Sequence, residues 1–160
     1  MWGKKAWFPA SMRYFLVGVL LGGLALAGCG GGKRESLQRE QSTLKPLAIL
    51  YGQYIGQHRG QPPPNEEAFR KFIQEQPAEV LKSFNISNID DLFVSPRDGK
   101  PYKVLYGEAA KKAPSGGPAG APVIAYEQEG RGGRRWVASA MGAIEEVDET
   151  RFKQLVPGGP

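Results

Sequence analysis

Two residue types that carry much of enzyme and metal chemistry are scarce here: the 160 residues include one cysteine, Cys29, and one histidine, His58. A lone cysteine closes no intramolecular disulfide, so an exported domain of this chain must hold together by core packing. A structural zinc site draws its ligands from several Cys and His side chains, and the sequence does not supply them. A histidine-based triad would have to use His58, yet no Gly-x-Ser-x-Gly elbow accompanies it. The expectation is therefore no metal, no cofactor and no catalytic residue. Internal repeats are missing too.

Acid is missing from the beginning of the chain. Residues 1–13 carry Lys4, Lys5 and Arg13 without a carboxylate, and residues 14–27 carry no charge at all. A basic start, a short apolar core and small residues at its end form a secretory signal. It closes on Leu26-Ala27-Gly28-Cys29, which resembles the lipobox of bacterial lipoproteins. The resemblance implies that the Cys29 thiol receives a diacylglyceryl group, that peptide 1–28 is removed and that the new amine is acylated. It also implies attachment to a membrane through Cys29. Gly30 follows the cysteine where some bacteria place an aspartate that retains lipoproteins in the inner membrane, which favours the outer membrane. An uncleaved anchor and a plain free thiol are the alternatives. A membrane helix needs about 20 apolar residues, and the uncharged stretch 14–32 has 19, but seven of them are glycine. Each glycine is roughly 0.8–1.0 kcal/mol worse than alanine in a helix, which argues against a spanning helix.

Cleavage changes the meaning of the charge. Of 21 basic residues three lie in 1–28, while all 16 acids lie beyond it, leaving an excess of two positive charges. The sequence pI near 9.4 is thus no pointer to nucleic acid, and no nucleic-acid partner is expected.

The mature chain divides into a flexible tether, 29–43, and one domain, 44–157. Glycines and mixed charges make residues 30–41 a spacer. Thr43 is placed to cap a helix whose first turn tolerates Pro46. Leu44, Leu47, Ala48, Tyr51, Tyr54, Ile55 and His58 share one helical face, which gives His58 a packed or capping role. Gly52, Gly56 and Gly60 line a neighbouring stripe that would let the helix approach a sheet closely. Pro62, Pro63 and Pro64 stop it. Asn65 can cap a second helix, with Glu66 and Glu67 in the favourable first turn and Ala68, Phe69, Phe72 and Ile73 as its buried stripe. Pro77 suits the first position of a third, through Val80, Leu81 and Phe84.

From Asp91 onward the period shortens. Apolar stretches flank Pro96-Arg97-Asp98-Gly99, and Asp-Gly is a strong turn signal. Residues 108–122 are mostly Lys, Ala, Pro, Ser and Gly and read as a mobile loop that buries little. Three strands then follow, turning at 130–133 and 141–142, and Asp148 caps a closing helix with Phe152, Leu155 and Val156. Helices first, strands after and a short last helix make an α+β domain with an antiparallel sheet.

A helix, then Gly60-Gln61-Pro62-Pro63-Pro64-Asn65, then Ser95-Pro96-Arg97-Asp98-Gly99-Lys100-Pro101-Tyr102, then a meander resembles the globular part of type II secretion pseudopilins. There an Asp-Pro-x-Gly-x-Pro-Tyr hairpin opens the sheet; here one residue is added and Ser replaces Asp. The prepilin peptidase site and the aspartate-rich calcium loop have no counterpart. The three glycines 30–32 would cost a continuous helix roughly 3 kcal/mol. The resemblance thus implies a shared core without filament building.

Acid pairs occur at Glu66-Glu67, Asp90-Asp91 and Glu145-Glu146. Neighbours on a strand point to opposite faces, so Glu145 and Glu146 make no natural acid–base dyad. Arg131, Arg134 and Arg135 surround glycines beside Trp136, a composition suited to a hairpin tip or to contact with an anionic partner such as lipid headgroup, polysaccharide or acidic protein. The functional expectation is a lipid-anchored, non-enzymatic structural or adaptor protein of the cell envelope. An accessory component of a secretion machine and an envelope hydrolase are the rivals.

Overall fold

The computed structural model of the chain describes residues 43–159. The expected signal 1–28, Cys29 and nearly all of the tether lie outside the described residues.

The first helix, α1 (Leu44–Gln57), buries Leu44, Leu47, Ala48, Leu50, Tyr51 and Tyr54. Its stripe is broader than the spacing implied, because Leu50 is fully buried as well. His58 is exposed and falls just beyond the last turn, where its N–H donates to the Tyr54 and Ile55 carbonyls. Thr43 does not cap with its side chain. Its hydroxyl instead donates to the Val94 carbonyl at 3.0 Å and lies 3.0 Å from the Tyr102 hydroxyl. A tertiary acceptor has replaced the local one. Of the three spaced glycines only Gly52 serves close approach: a Cβ there would sit 2.1 Å from the Ala140 carbonyl oxygen. At Gly56 a Cβ would meet nothing within 4 Å.

Helix α2 (Glu66–Gln74) starts as its sequence requires, with the Asn65 side chain accepting from Ala68 N–H at 2.9 Å. Phe69 drives edge-on into Tyr51, with ring centroids 5.3 Å apart, and also meets Tyr54 and Phe93. Two short helices follow, α3 (Ala78–Ser83) and α4 (Ile89–Leu92). Pro77 is the N-cap of α3 rather than its first helical residue, since its ψ of 140° is extended.

The sheet runs in sequence order, β1 (Lys103–Val104), β2 (Val123–Tyr126), β3 (Arg134–Ser139) and β4 (Ile144–Asp148), with every neighbour antiparallel. The Asp-Gly turn forms, with Gly99 N–H donating to the Ser95 carbonyl at 2.9 Å. Its leading arm is only the single bridge Val94–Pro101, because α4 occupies the residues before it. Register slips between Val123 and Ala125. That irregularity lets Ile124 and Ala125 both face α1 while Val123 and Tyr126 face the other way.

Both sheet faces are covered. Helices α1 and α2 lie on one, over Val104, Ile124, Trp136 and Ala138. The last helix, α6 (Glu149–Leu155), lies on the other, where Phe152 and Leu155 join Tyr126, Val137 and Val147. Asp148 caps α6 as expected, accepting from Arg151 N–H at 2.8 Å. The segment 108–122 departs from its expected character. It holds most of helix α5 (Gly107–Lys111) and a 3-10 turn (Pro118–Gly120), with Gly117 and Pro118 buried and Arg151 Nη2 donating to the Gly116 carbonyl at 2.6 Å. Its composition hides this because proline and glycine bury backbone and ring surface without a large side chain. The domain is α+β, with N-terminal helices, a four-stranded antiparallel sheet and a short closing helix.

Candidate functional site

The densest cluster of ionisable groups is built by the turn at residues 95–101. Ser95 Oγ accepts from Arg97 N–H at 3.1 Å and donates to Glu127 Oε1 at 2.8 Å. Trp136 N–H donates to Glu127 Oε2 at 2.8 Å. The Arg97 guanidinium lies 3.4 Å from that oxygen, 2.6 Å from Glu146 Oε1 and 2.7 Å from the Arg134 carbonyl oxygen. The Arg97 side chain is 2% exposed and that of Glu127 0%. Burial pushes the Glu127 carboxyl above its ordinary range, and the bonds from Trp136 and Ser95 and the charge of Arg97 pull only partly back. An isolated buried charge costs several kcal/mol; here each charge faces its opposite and further donors.

The same turn grips the tip between β2 and β3. Asp98 Oδ2 accepts from Gly130 N–H at 3.1 Å, and Lys100 pairs with Glu129. Gly130 must be glycine, for its φ is +69° and a Cβ would lie 2.1 Å from the Arg134 carbonyl oxygen. Thr43 reaches Val94 and Tyr102 on either side of this turn. The start of α1, the turn and the β2–β3 tip therefore share one end of the domain.

The backbones of Arg131 and Arg134 bond to each other at 2.9 and 3.1 Å, but the side chains of the three tip arginines go to different surroundings. Arg131 is exposed and makes no ion pair among the described residues. Arg134, about half exposed, pairs with Glu146 at 3.2 Å. Arg135 is turned inward, donating to the Gln128 carbonyl at 2.5 Å, pairing with Glu149 at 3.2 Å and lying 4.3 Å above the Phe152 ring. The tip offers one open cation and one partly shared one. No family model, curated protein or solved structure matches this chain.

The remaining candidates have local structural partners. His58 stacks on Tyr54 with centroids 3.8 Å apart, and its Nδ1 lies 2.8 Å from the Tyr54 carbonyl oxygen, so it finishes α1. It borders an open cleft of about 750 Å³ with Arg59, Pro62, Pro64 and Lys111. Arg70 bridges Glu66 at 2.6 Å and Asp90 at 2.7 Å, which ties α2 to α4. Glu145 and Glu146 separate as strand alternation requires: Glu146 meets Arg97, while Glu145 lies 4.0 Å from Arg151. Among the described residues no three His, Cys, Asp or Glu side chains group as metal ligands.

Sequence reasoning missed Glu127 as the centre of the charged cluster. One signal was available, since a glutamate directly follows the wholly apolar Val123-Ile124-Ala125-Tyr126. Its partners could not be read, because Ser95 and Arg97 lie about thirty residues earlier.

Proposed function

We propose that this chain is a lipid-anchored protein of the cell envelope whose domain acts as a non-enzymatic structural or adaptor module. The observation that carries the anchor is the basic start, the apolar core and Leu26-Ala27-Gly28-Cys29. Each buried CH₂ contributes about 0.8 kcal/mol, so one acyl chain binds marginally while two or three hold firmly. A non-enzymatic role is favoured by the intramolecular partners of the groups best suited to chemistry: Glu127 and Arg97 in the buried cluster and His58 at the end of α1. Thr43, the first described residue, bonds to Val94 and lies beside Tyr102, which supports a reading in which the end of the domain carrying the turn and the β2–β3 tip faces the membrane. Arg131 is then the cation offered to an anionic partner in the envelope, with the outer membrane as its expected location.

Mass spectrometry of the protein purified from envelopes is expected to find a peptide starting at acylated Cys29. A Cys29→Ser protein processed at the same bond and retained in membranes would overturn the anchor. Crosslinking in intact envelopes followed by identification of the captured protein tests the adaptor role. A helix followed by a proline-bearing turn and an antiparallel meander supports a second reading, an accessory pseudopilin-like component of a secretion system. Capture of secretion-machine components in that experiment favours it.

A further inference from the structure

On the sheet face that carries α6, a groove of about 390 Å³ runs between the edge strand β1, the end of α5 and the C-terminal segment. Strand alternation sends Lys103 and Leu105 to this face and Val104 to the other. Tyr126 stands opposite Lys103 in register, and Leu105, Tyr126, Leu155 and Val156 supply an apolar floor. Lys103 and Lys112 both line the groove and are exposed, and neither has an ion-pair partner among the described residues. Among the described residues no acidic side chain lines it. Tyr126 itself is buried, and the charge acting on its hydroxyl is that of Arg135, so the two lysines are the polar groups the groove presents.

We propose that this groove binds a single-chain fatty-acid anion, its hydrocarbon along Leu105, Leu155 and Val156 and its carboxylate held by Lys103 and Lys112. Small-molecule sites are mostly apolar concavities of about 300–1,000 Å³ with a few placed polar groups. This groove lies near the lower limit, which suits one acyl chain rather than a diacyl lipid. Two ammonium groups with no acidic side chain among the described lining residues select a negative head, because charge-assisted bonds are roughly twice as strong as neutral ones. The flanking charges do not cancel them: on α5, Glu108 pairs with Lys111, and on α6, Glu149 pairs with Arg135 and lies 3.5 Å from Lys153. The inference rests on reading the domain as a binding module and is independent of lipidation at Cys29.

The test uses the full chain in membranes of cells that express it, labelled with a dodecanoate carrying a photoreactive diazirine. Peptide mapping is expected to place the label within 103–112 and 155–159, and excess unlabelled dodecanoate should compete it away. Lys103→Glu with Lys112→Glu, two exposed positions, should cut labelling by about tenfold or more without shifting the melting temperature. The matching diazirine dodecanol should label the groove correspondingly less. Equal labelling by acid and alcohol, label spread over the whole surface, or yield untouched by the double charge reversal would overturn the proposal. A groove crosslinked to another protein in place of the probe would also overturn it. The same spectra report acylation of Cys29, so loss of the groove label with Cys29 acylated removes the ligand and leaves the anchor standing.

Discussion

Two regions hold this domain together by opposite means. Beneath α1 an aromatic group of Tyr51, Tyr54, Phe69, Phe72 and Phe93 meets mostly edge to face. At the end of the domain Ser95, Arg97, Glu127 and Glu146 form a charged cluster in which every side chain but that of Glu146 is buried. Apolar contacts are non-directional and roughly proportional to area, so the first region tolerates small displacements. The second depends on each partner standing at hydrogen-bond distance, and removing one leaves another charge buried. The aromatic region therefore supplies bulk stability, and the cluster specifies where the 95–101 turn seats on the sheet.

The largest effect is expected from Phe69→Ala, which should lower unfolding free energy by about 3–5 kcal/mol, read by denaturant titration. Arg97→Met should cost a similar amount, on the order of 3–5 kcal/mol, because it leaves Glu127 buried without its cation. The two variants part when a second change is added. Arg97→Met with Glu127→Gln should recover a substantial share of the loss, whereas no polar change elsewhere should rescue Phe69→Ala. A double variant no more stable than Arg97→Met alone would show that the contrast between the regions is false.

Glycine gives a sharper contrast within one helix. Propensity alone makes both Gly52→Ala and Gly56→Ala stabilising, by about 0.8–1.0 kcal/mol each. At Gly52 the new methyl would stand 2.1 Å from the Ala140 carbonyl oxygen, and forcing α1 off the sheet costs about 1–3 kcal/mol. Gly52→Ala should thus destabilise and Gly56→Ala stabilise, measured as opposite shifts in melting temperature. Equal shifts would remove the case for a close helix–sheet approach at residue 52.

A pH series separates the regions further. Burial raises the Glu127 carboxyl, so the native state holds its proton at pH values where the unfolded chain has released it. This contribution is complete below the ordinary glutamate range and is lost as pH rises through the raised value. Relative to the parent, Glu127→Gln should lack that downward slope just above the ordinary range, while Phe69→Ala should keep it. The smallest effect belongs to the exposed tip, where Arg131→Ser should change stability by no more than about 0.5 kcal/mol. Arg135→Ser should cost more, since it removes the contacts to Gln128, Glu149 and Phe152. If Arg131→Ser also leaves retention on anionic liposomes unchanged at low salt, the tip is only a turn.

Much of this architecture was legible in the order of residues, because its causes are local. Three-four spacing drew α1 and the stripe of α2, Asn65 and Asp148 announced their caps, and glycines at 130, 132, 133 and 142 marked the turns between strands. The helix-then-strand order gave the fold class for the same reason: hydrophobic period and turn chemistry act within a few residues. Tertiary structure alone decided what depends on distant partners. It took Thr43 from its cap to Val94 and Tyr102, buried Gly117 and Pro118 in a segment of loop-like composition, and divided the side chains of Arg131, Arg134 and Arg135 among three environments. It also joined Ser95 and Arg97 to Glu127 across some thirty residues. Sequence encodes which groups a chain carries and their local geometry; which of them meet, and so which charges are buried, is set only when sheet and helices close around one another.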